Sequence, residues 1–156
     1  MSSPPDPSPT SQETLHATLD MDFEDAVLSV QLEHELAGFE TVNVTRLDNL
    51  IKADLDEERE RTALVVVCHA EIARDTIDVN PQLAGLLPCT TVVYETPEDD
   101  LVHVHHISVT KAIRDLGFDP GNPKLENLVE KTGELMSEVW SNIESFAHTV
   151  STPETD

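Results

Sequence analysis

Six side chains in the middle of the chain could do chemistry: Cys68, His69, Cys89, His103, His105 and His106. Thiolate and imidazole are the donors that zinc and copper prefer. On a strand, His103 and His105 would project from one face and His106 from the other. If the strand that ends at Cys68 lies beside the one that begins at Cys89, the two thiols approach each other near a shared edge. The cysteines do not form a CxxC unit, so their spacing is no metal signature. A free cysteine most often acts as a small buried hydrophobe, and that reading outweighs metal binding, which in turn outweighs thiol redox chemistry. Two sites are expected on this basis. A ligand site takes Cys68, His69, Cys89 and Tyr94, and a metal site takes Cys68, His69, Cys89, His103 and His105 around zinc or copper.

Other chemistries find less support. Glu71 follows His69 closely, and Tyr94 and Glu95 end a strand, but carboxylates are so abundant that none stands out as an acid or base. No Gly-rich turn follows a strand, no Walker-type lysine is present, and no serine sits in a nucleophile elbow. Trp140, the only tryptophan, falls at the margin of a helical stripe, where it would either anchor a subunit contact or pack over its own core.

These side chains must be positioned by a single domain of 156 residues, long enough to bury a sizeable core. Nine Lys and Arg face 31 Asp and Glu, giving a formal net charge of −22. A carboxylate-rich surface repels itself in dilute salt, and halophiles exploit that balance. Molar salt shortens the screening length to about 3 Å, so the composition is read as salt adaptation. It also argues against a nucleic-acid backbone or an anionic membrane as partner. The N-terminus has neither the basic start nor the apolar run of a secretory signal. With two cysteines and no membrane span, the expected setting is a reducing cytoplasm.

The expected organisation is a Pro/Ser-rich disordered leader (1–12), one domain (13–150) and a frayed tail (151–156). Residues 14–20 alternate as a half-buried strand should. Phe23, Ala26, Val27, Val30, Leu36 and Ala37 suggest a helix that stops at Gly38. A strand over 41–45 and a short amphipathic helix (Leu47, Leu50, Ile51, Leu55) follow. The run Ala63 to Cys68 is apolar without alternation, as in a strand buried on both faces. A short helix over 70–77, a turn around Pro81 and Pro88, and strands over 90–95 and 101–108 joined as a hairpin come next. The clearest helix runs from Lys124 to Val150, with Leu125, Leu128, Val129, Leu135, Met136, Val139, Ile143, Phe146 and Ala147 in helical rhythm. The sum is an α+β fold: a two-layer domain with a mainly antiparallel sheet backed by helices, closed by a long C-terminal amphipathic helix.

The segments Leu64-Val-Val-Val-Cys-His-Ala-Glu-Ile-Ala73, Asn80-Pro-Gln-Leu-Ala-Gly-Leu-Leu-Pro-Cys89 and Thr91-Val-Val-Tyr-Glu95 resemble the uncharacterised family known as domain of unknown function 302. The helix opening with Gly121-Asn-Pro-Lys-Leu125, and the helix that ends in Gly38-Phe39, resemble it as well. The resemblance spans roughly residues 13–147. It implies a compact α/β domain, plausibly dimeric, and no activity that can be carried over. Two departures stand out. The first Cys is followed by His69-Ala70 where the family has Asn-Pro, and the last strand by Ser108-Val109 where the family has Asp-Pro. If those positions line a site in relatives, the site is altered or lost here.

The leading functional expectation is a cytoplasmic homodimer that binds a small ligand or soft metal near Cys68, His69 and Cys89, without catalysis or with little. Its rivals are an enzyme using Cys68 as a reactive thiol in redox or sulfur chemistry, and a non-catalytic dimeric interaction module.

Overall fold

The structure is a computed structural model that describes residues 14–117 and 120–151. The expected leader (1–12) and the tail beyond Ser151 lie outside those residues. In chain order the elements are β1 (Thr14–Leu19), α1 (Phe23–Leu36), β2 (Glu40–Arg46), α2 (Leu47–Leu55) and β3 (Thr62–Cys68). They continue with α3 (Ala70–Val79), a 3₁₀ turn (Pro81–Leu86), β4 (Cys89–Tyr94), β5 (Val102–Ile107), α4 (Val109–Asp115) and α5 (Pro123–Ser151). None of the described helices is long and apolar enough to cross a membrane.

The five strands form one sheet in the order β1-β5-β4-β3-β2, every neighbouring pair antiparallel. Helices α1 and α5 pack against one face of it, and the main core lies between. The α+β architecture expected from the sequence is therefore observed. Alternate residues of β3, β4 and β5 are buried beneath the helices, and those between them are half-exposed or exposed on the other face. This corrects one expectation: β3 is not buried on both faces. Its Leu64 and Val66 are only half-buried, because α1 and α5 pack on the Val65 side. A smaller cluster of Ile72, Leu83, Ile113, Leu125 and Leu128 joins α3, the 3₁₀ turn, α4 and the start of α5.

Helix α1 starts at Asp22, whose carboxylate accepts from the Glu24 N–H at 3.2 Å. It stops where Gly38 takes a φ of 96°. Its buried row is Phe23, Ala26, Val27, Val30 and His34. Leu36, expected on that row, is 69% exposed. The step of four residues from Val30 lands on His34, so the histidine takes the core slot. Helix α4 was not expected. Ser108 starts it by accepting from the Lys111 N–H at 3.2 Å.

The leucines of α2 do not form a buried stripe either, and its one buried residue is Asp48. Arg46 grips Asp48 with two hydrogen bonds of 2.8 Å each, and the Thr62 N–H adds a third at 3.1 Å. Arg46 also bonds Glu24 at 2.8 Å, which ties α1 to the start of α2. The guanidinium groups of Arg46 and Arg61 stand 5.0 and 4.9 Å from the centre of the Phe23 ring. The Arg46 guanidinium holds the Asp48 carboxyl down at about 2, against an ordinary 3.8. A carboxylate depressed in the folded state stabilises above its unfolded pKa, and loses that effect as pH falls through the folded one. Asp48→Asn should cost about 1–3 kcal/mol at neutral pH, measured by denaturant unfolding. It should also flatten the loss of stability that the native chain shows from pH 3.8 down to about 2.

Candidate functional site

Three polar side chains are buried in a row where α1, β4 and β5 meet. His34 Nδ1 lies 2.7 Å from the Val30 carbonyl, and its Nε2 lies 3.0 Å from Thr91 Oγ1. Thr91 Oγ1 is also 3.0 Å from His106 Nδ1. The direction of this chain follows from its anchor. A carbonyl only accepts, so the His34 proton is on Nδ1 and Nε2 of the neutral ring is bare. Thr91 must then donate its single proton to His34, and its oxygen accepts from the His106 Nδ1–H. This leaves His106 Nε2 as a lone pair. That atom is buried and has no hydrogen-bond partner among the described residues. The Trp140 Nε1–H is in the same position, and its ring centre is 6.2 Å from that of His106.

His106 stands in the wall of a cleft of ≈ 720 Å³ between the sheet, α4 and α5. Leu15, Val129 and Met136 give the cleft apolar surface, and Ser108 and Thr132 contribute hydroxyls. Lys111 and Arg114 from α4 face Glu126, Glu130 and Glu134 from α5, so the lining carries no single sign of charge. Arg114 is engaged, at 3.7 Å from Glu126. Burial, with His34 as a minor contributor, pushes the His106 imidazole down to about 4 from 6.5. Burial lowers His34 as well. Both rings are therefore neutral at pH 7, and the site offers an acceptor rather than a cation. Sequence reasoning missed His34 and Thr91. The helical spacing Phe23, Val27, Val30, His34 was the available signal for the first, and the period-two pattern Cys89, Thr91, Val93 for the second.

The other predicted residues are spread over the sheet. Cys89 is buried on the helix side and is the register partner of Val67. Cys68 follows Val67 and is half-buried on the alternate position. The thiols are thus neighbours that leave the sheet on opposite faces. Burial, then the proximity of Cys68, pushes the Cys89 thiol up to about 11, which disfavours the thiolate a soft metal needs. His69 precedes α3 and meets the Phe39 ring edge-on at 5.2 Å. Its Nδ1 is buried without a partner among the described residues.

His103 and His105 lie on the open face of the sheet, beside His16 of β1 and separated from β3 by β4. Tyr94 stacks on His103 at 5.1 Å. The five residues of the expected metal set are not gathered at one point. No group of three or more His, Cys, Asp or Glu side chains among the described residues is placed to hold one ion. Trp140 is 2% exposed, packed within its own core rather than at a surface margin.

An antiparallel five-stranded sheet under two helices, one of them the long α5, defines an α+β domain with a lateral cleft. The chain belongs to the family described as Domain of unknown function DUF302, whose model matches residues 15–143. The fold is similar to a crystal structure titled as an uncharacterised conserved DUF302 protein from Bacillus stearothermophilus. That similarity has a TM-score of 0.70 at 12% identity, covering 82% of this chain and 95% of the other. No protein of curated function matches the chain.

The buried histidine has a pH signature. His106 binds a proton at 6.5 when unfolded and only near 4 when folded. Between those values the unfolded chain holds more protons, so stability falls as pH drops. His106→Gln should remove one proton from this linkage. The slope of unfolding free energy against pH between 6.5 and 4 should shrink by about 1.4 kcal/mol per pH unit at most. An unchanged slope would show that His106 titrates normally in the folded protein.

Proposed function

We propose that this protein is a binding domain for a small, largely apolar molecule that carries a hydroxyl or N–H group, held in the cleft beside His106. The observations that carry the reading are that His106 lines the cleft and that its buried Nε2, set as an acceptor by the Thr91–His34–Val30 chain, has no partner among the described residues. An unpaired buried acceptor costs on the order of 1–3 kcal/mol, which a donor on a bound molecule recovers. Leu15, Val129 and Met136 supply apolar contact for the rest of it. The mixed charges of α4 and α5 favour neither an anion nor a cation. Ser108, one of the two departures from the family pattern, lies in the same wall. Catalysis is not part of the proposal.

Trp140 provides a built-in reporter, because it is the only tryptophan and lies close to His106. Phenol and benzyl alcohol should change its fluorescence saturably and bind several-fold more tightly than toluene, which lacks a donor. In His106→Phe that preference should vanish. Equal binding of toluene and phenol to the native chain, or no response to any of the three, would overturn the reading.

The same proposal includes salt adaptation. With a net charge of −22, the fold should gain stability from screening of its own carboxylates. Thermal unfolding in molar KCl should have a clearly higher midpoint than in dilute buffer. Coincident midpoints would make the acidic composition irrelevant to salt.

A further inference from the structure

On the open face of the sheet, away from the cleft, three imidazoles and one carboxylate form a second directed chain. His16 of β1 is the register partner of His105 of β5, and His103 lies two residues away on the same face. His103 Nε2 is 3.1 and 3.2 Å from the two oxygens of Asp99. His103 Nδ1 is 3.4 Å from His16 Nε2, and His16 Nδ1 is 3.1 Å from His105 Nδ1.

Protons in this chain are again placed by its anchor. The carboxylate only accepts, so His103 donates from Nε2, and in the neutral tautomer of that ring Nδ1 is bare. His16 then donates from Nε2 to His103, which leaves His16 Nδ1 bare as well. His105 donates from Nδ1 into that lone pair.

The spacing of the terminal pair matches a coordination edge. A tetrahedral ion with metal–nitrogen bonds of about 2.0–2.1 Å holds its ligand nitrogens about 3.3 Å apart. We propose that His16 and His105 chelate one divalent ion of the zinc or copper type through their Nδ1 atoms, with His103 and Asp99 as positioning residues for His16. The ion takes both lone pairs once the His105 proton moves from Nδ1 to Nε2 by exchange with water, a change of tautomer that releases no net proton. Water completes the coordination sphere. Imidazole is the donor that suits zinc, copper and nickel, and copper binds most tightly in that series. The Asp99–His103–His16 relay is the arrangement by which an outer carboxylate fixes the tautomer and orientation of a metal-bound imidazole. Tyr94, stacked on His103, limits how far that ring can turn. The site differs from the set expected from sequence, because it excludes both cysteines and His69 and includes His16.

The test is a Cu²⁺ titration of the untagged full chain in molar KCl, followed by calorimetry and by electron paramagnetic resonance. Molar salt suppresses adventitious binding to surface carboxylates. Native protein should bind one ion and show coupling to two imidazole nitrogens. His16→Gln and His105→Gln should each abolish that signal with unchanged melting, since neither ring belongs to the core. His103→Gln should keep the two-nitrogen signal but weaken affinity by about ten-fold or more, whereas Cys68→Ser should change nothing. Perturbation of the His16 and His105 ring nitrogens by diamagnetic Zn²⁺ in nitrogen-15 spectra provides a reading without any substitution. Absence of binding by the native chain, or binding unaltered in both His16→Gln and His105→Gln, would overturn the proposal. An effect of Cys68→Ser equal to that of His16→Gln would return the site to the cysteines.

Discussion

Helices α1 and α5 both pack on one face of the five-stranded sheet, and that one-sided burial organises the rest of the described structure. The pleat of each strand divides its side chains between two environments, with a period of two residues. Val65, Val93 and Val104 therefore share a core with Phe23, Val30 and Val139, while Leu64, Val92 and Tyr94 remain half-exposed. Strand β5 shows the consequence most clearly. Its three histidines are the same chemical group within four positions, yet His106 is buried and low in pKa while His103 and His105 stand on the open face. A slip of one residue in register would exchange these roles entirely.

Placing His34, Thr91 and His106 under the helices carries a cost, because polar groups leave water there. The cost is offset by pairing them in a line that begins at a backbone carbonyl of α1 and crosses to β4 and β5. The line also fixes how α1 sits on the sheet. At the end of that helix, Phe39 packs edge-on against His34 at 5.7 Å and against His69 at 5.2 Å. Gly38 is needed at this corner for two reasons. Its φ of 96° suits glycine, and a Cβ there would come within 3.0 Å of His69 Nε2. Helix end, aromatic ring and histidine are thus packed as a unit, which explains why His69 serves this corner rather than joining the thiols.

Periodicity made the architecture legible, since both the strand alternation of residues 14–19 and the stripe of α5 are long and regular. It misled at short range. The run Ala63 to Cys68 looks doubly buried because Leu64 and Val66 are apolar on an open face, and α2 has leucines that no core receives. Helix α4 is a short element held by the Ser108 cap, with too few residues to show a period. The site was harder still. A line of three residues drawn from α1, β4 and β5 depends on how distant segments cross, which spacing does not encode. The pairing of His16 with His105 depends on register between the first and fifth strands. The cysteines, by contrast, drew attention by their chemical type alone, and type says nothing about which face a side chain leaves from.

Both histidine chains share a physical logic that links them to the charge of the protein. In a chain with a net charge of −22, the general field favours protonated imidazoles and would make each a surface cation. Burial opposes this at His34 and His106, and burial with mutual repulsion opposes it at His16. Each chain is then given a direction by an acceptor that cannot donate, the Val30 carbonyl in one and the Asp99 carboxylate in the other. A directed row of hydrogen-bonded imidazoles ends in a defined tautomer when each ring carries one proton. In the buried row that end is a lone pair at His106, and in the exposed row it is the proton shared by His105 and His16. At His34, His106 and His16 the field is therefore overcome, and the chemistry favoured there is that of neutral imidazole rather than that of a cation binding an anion.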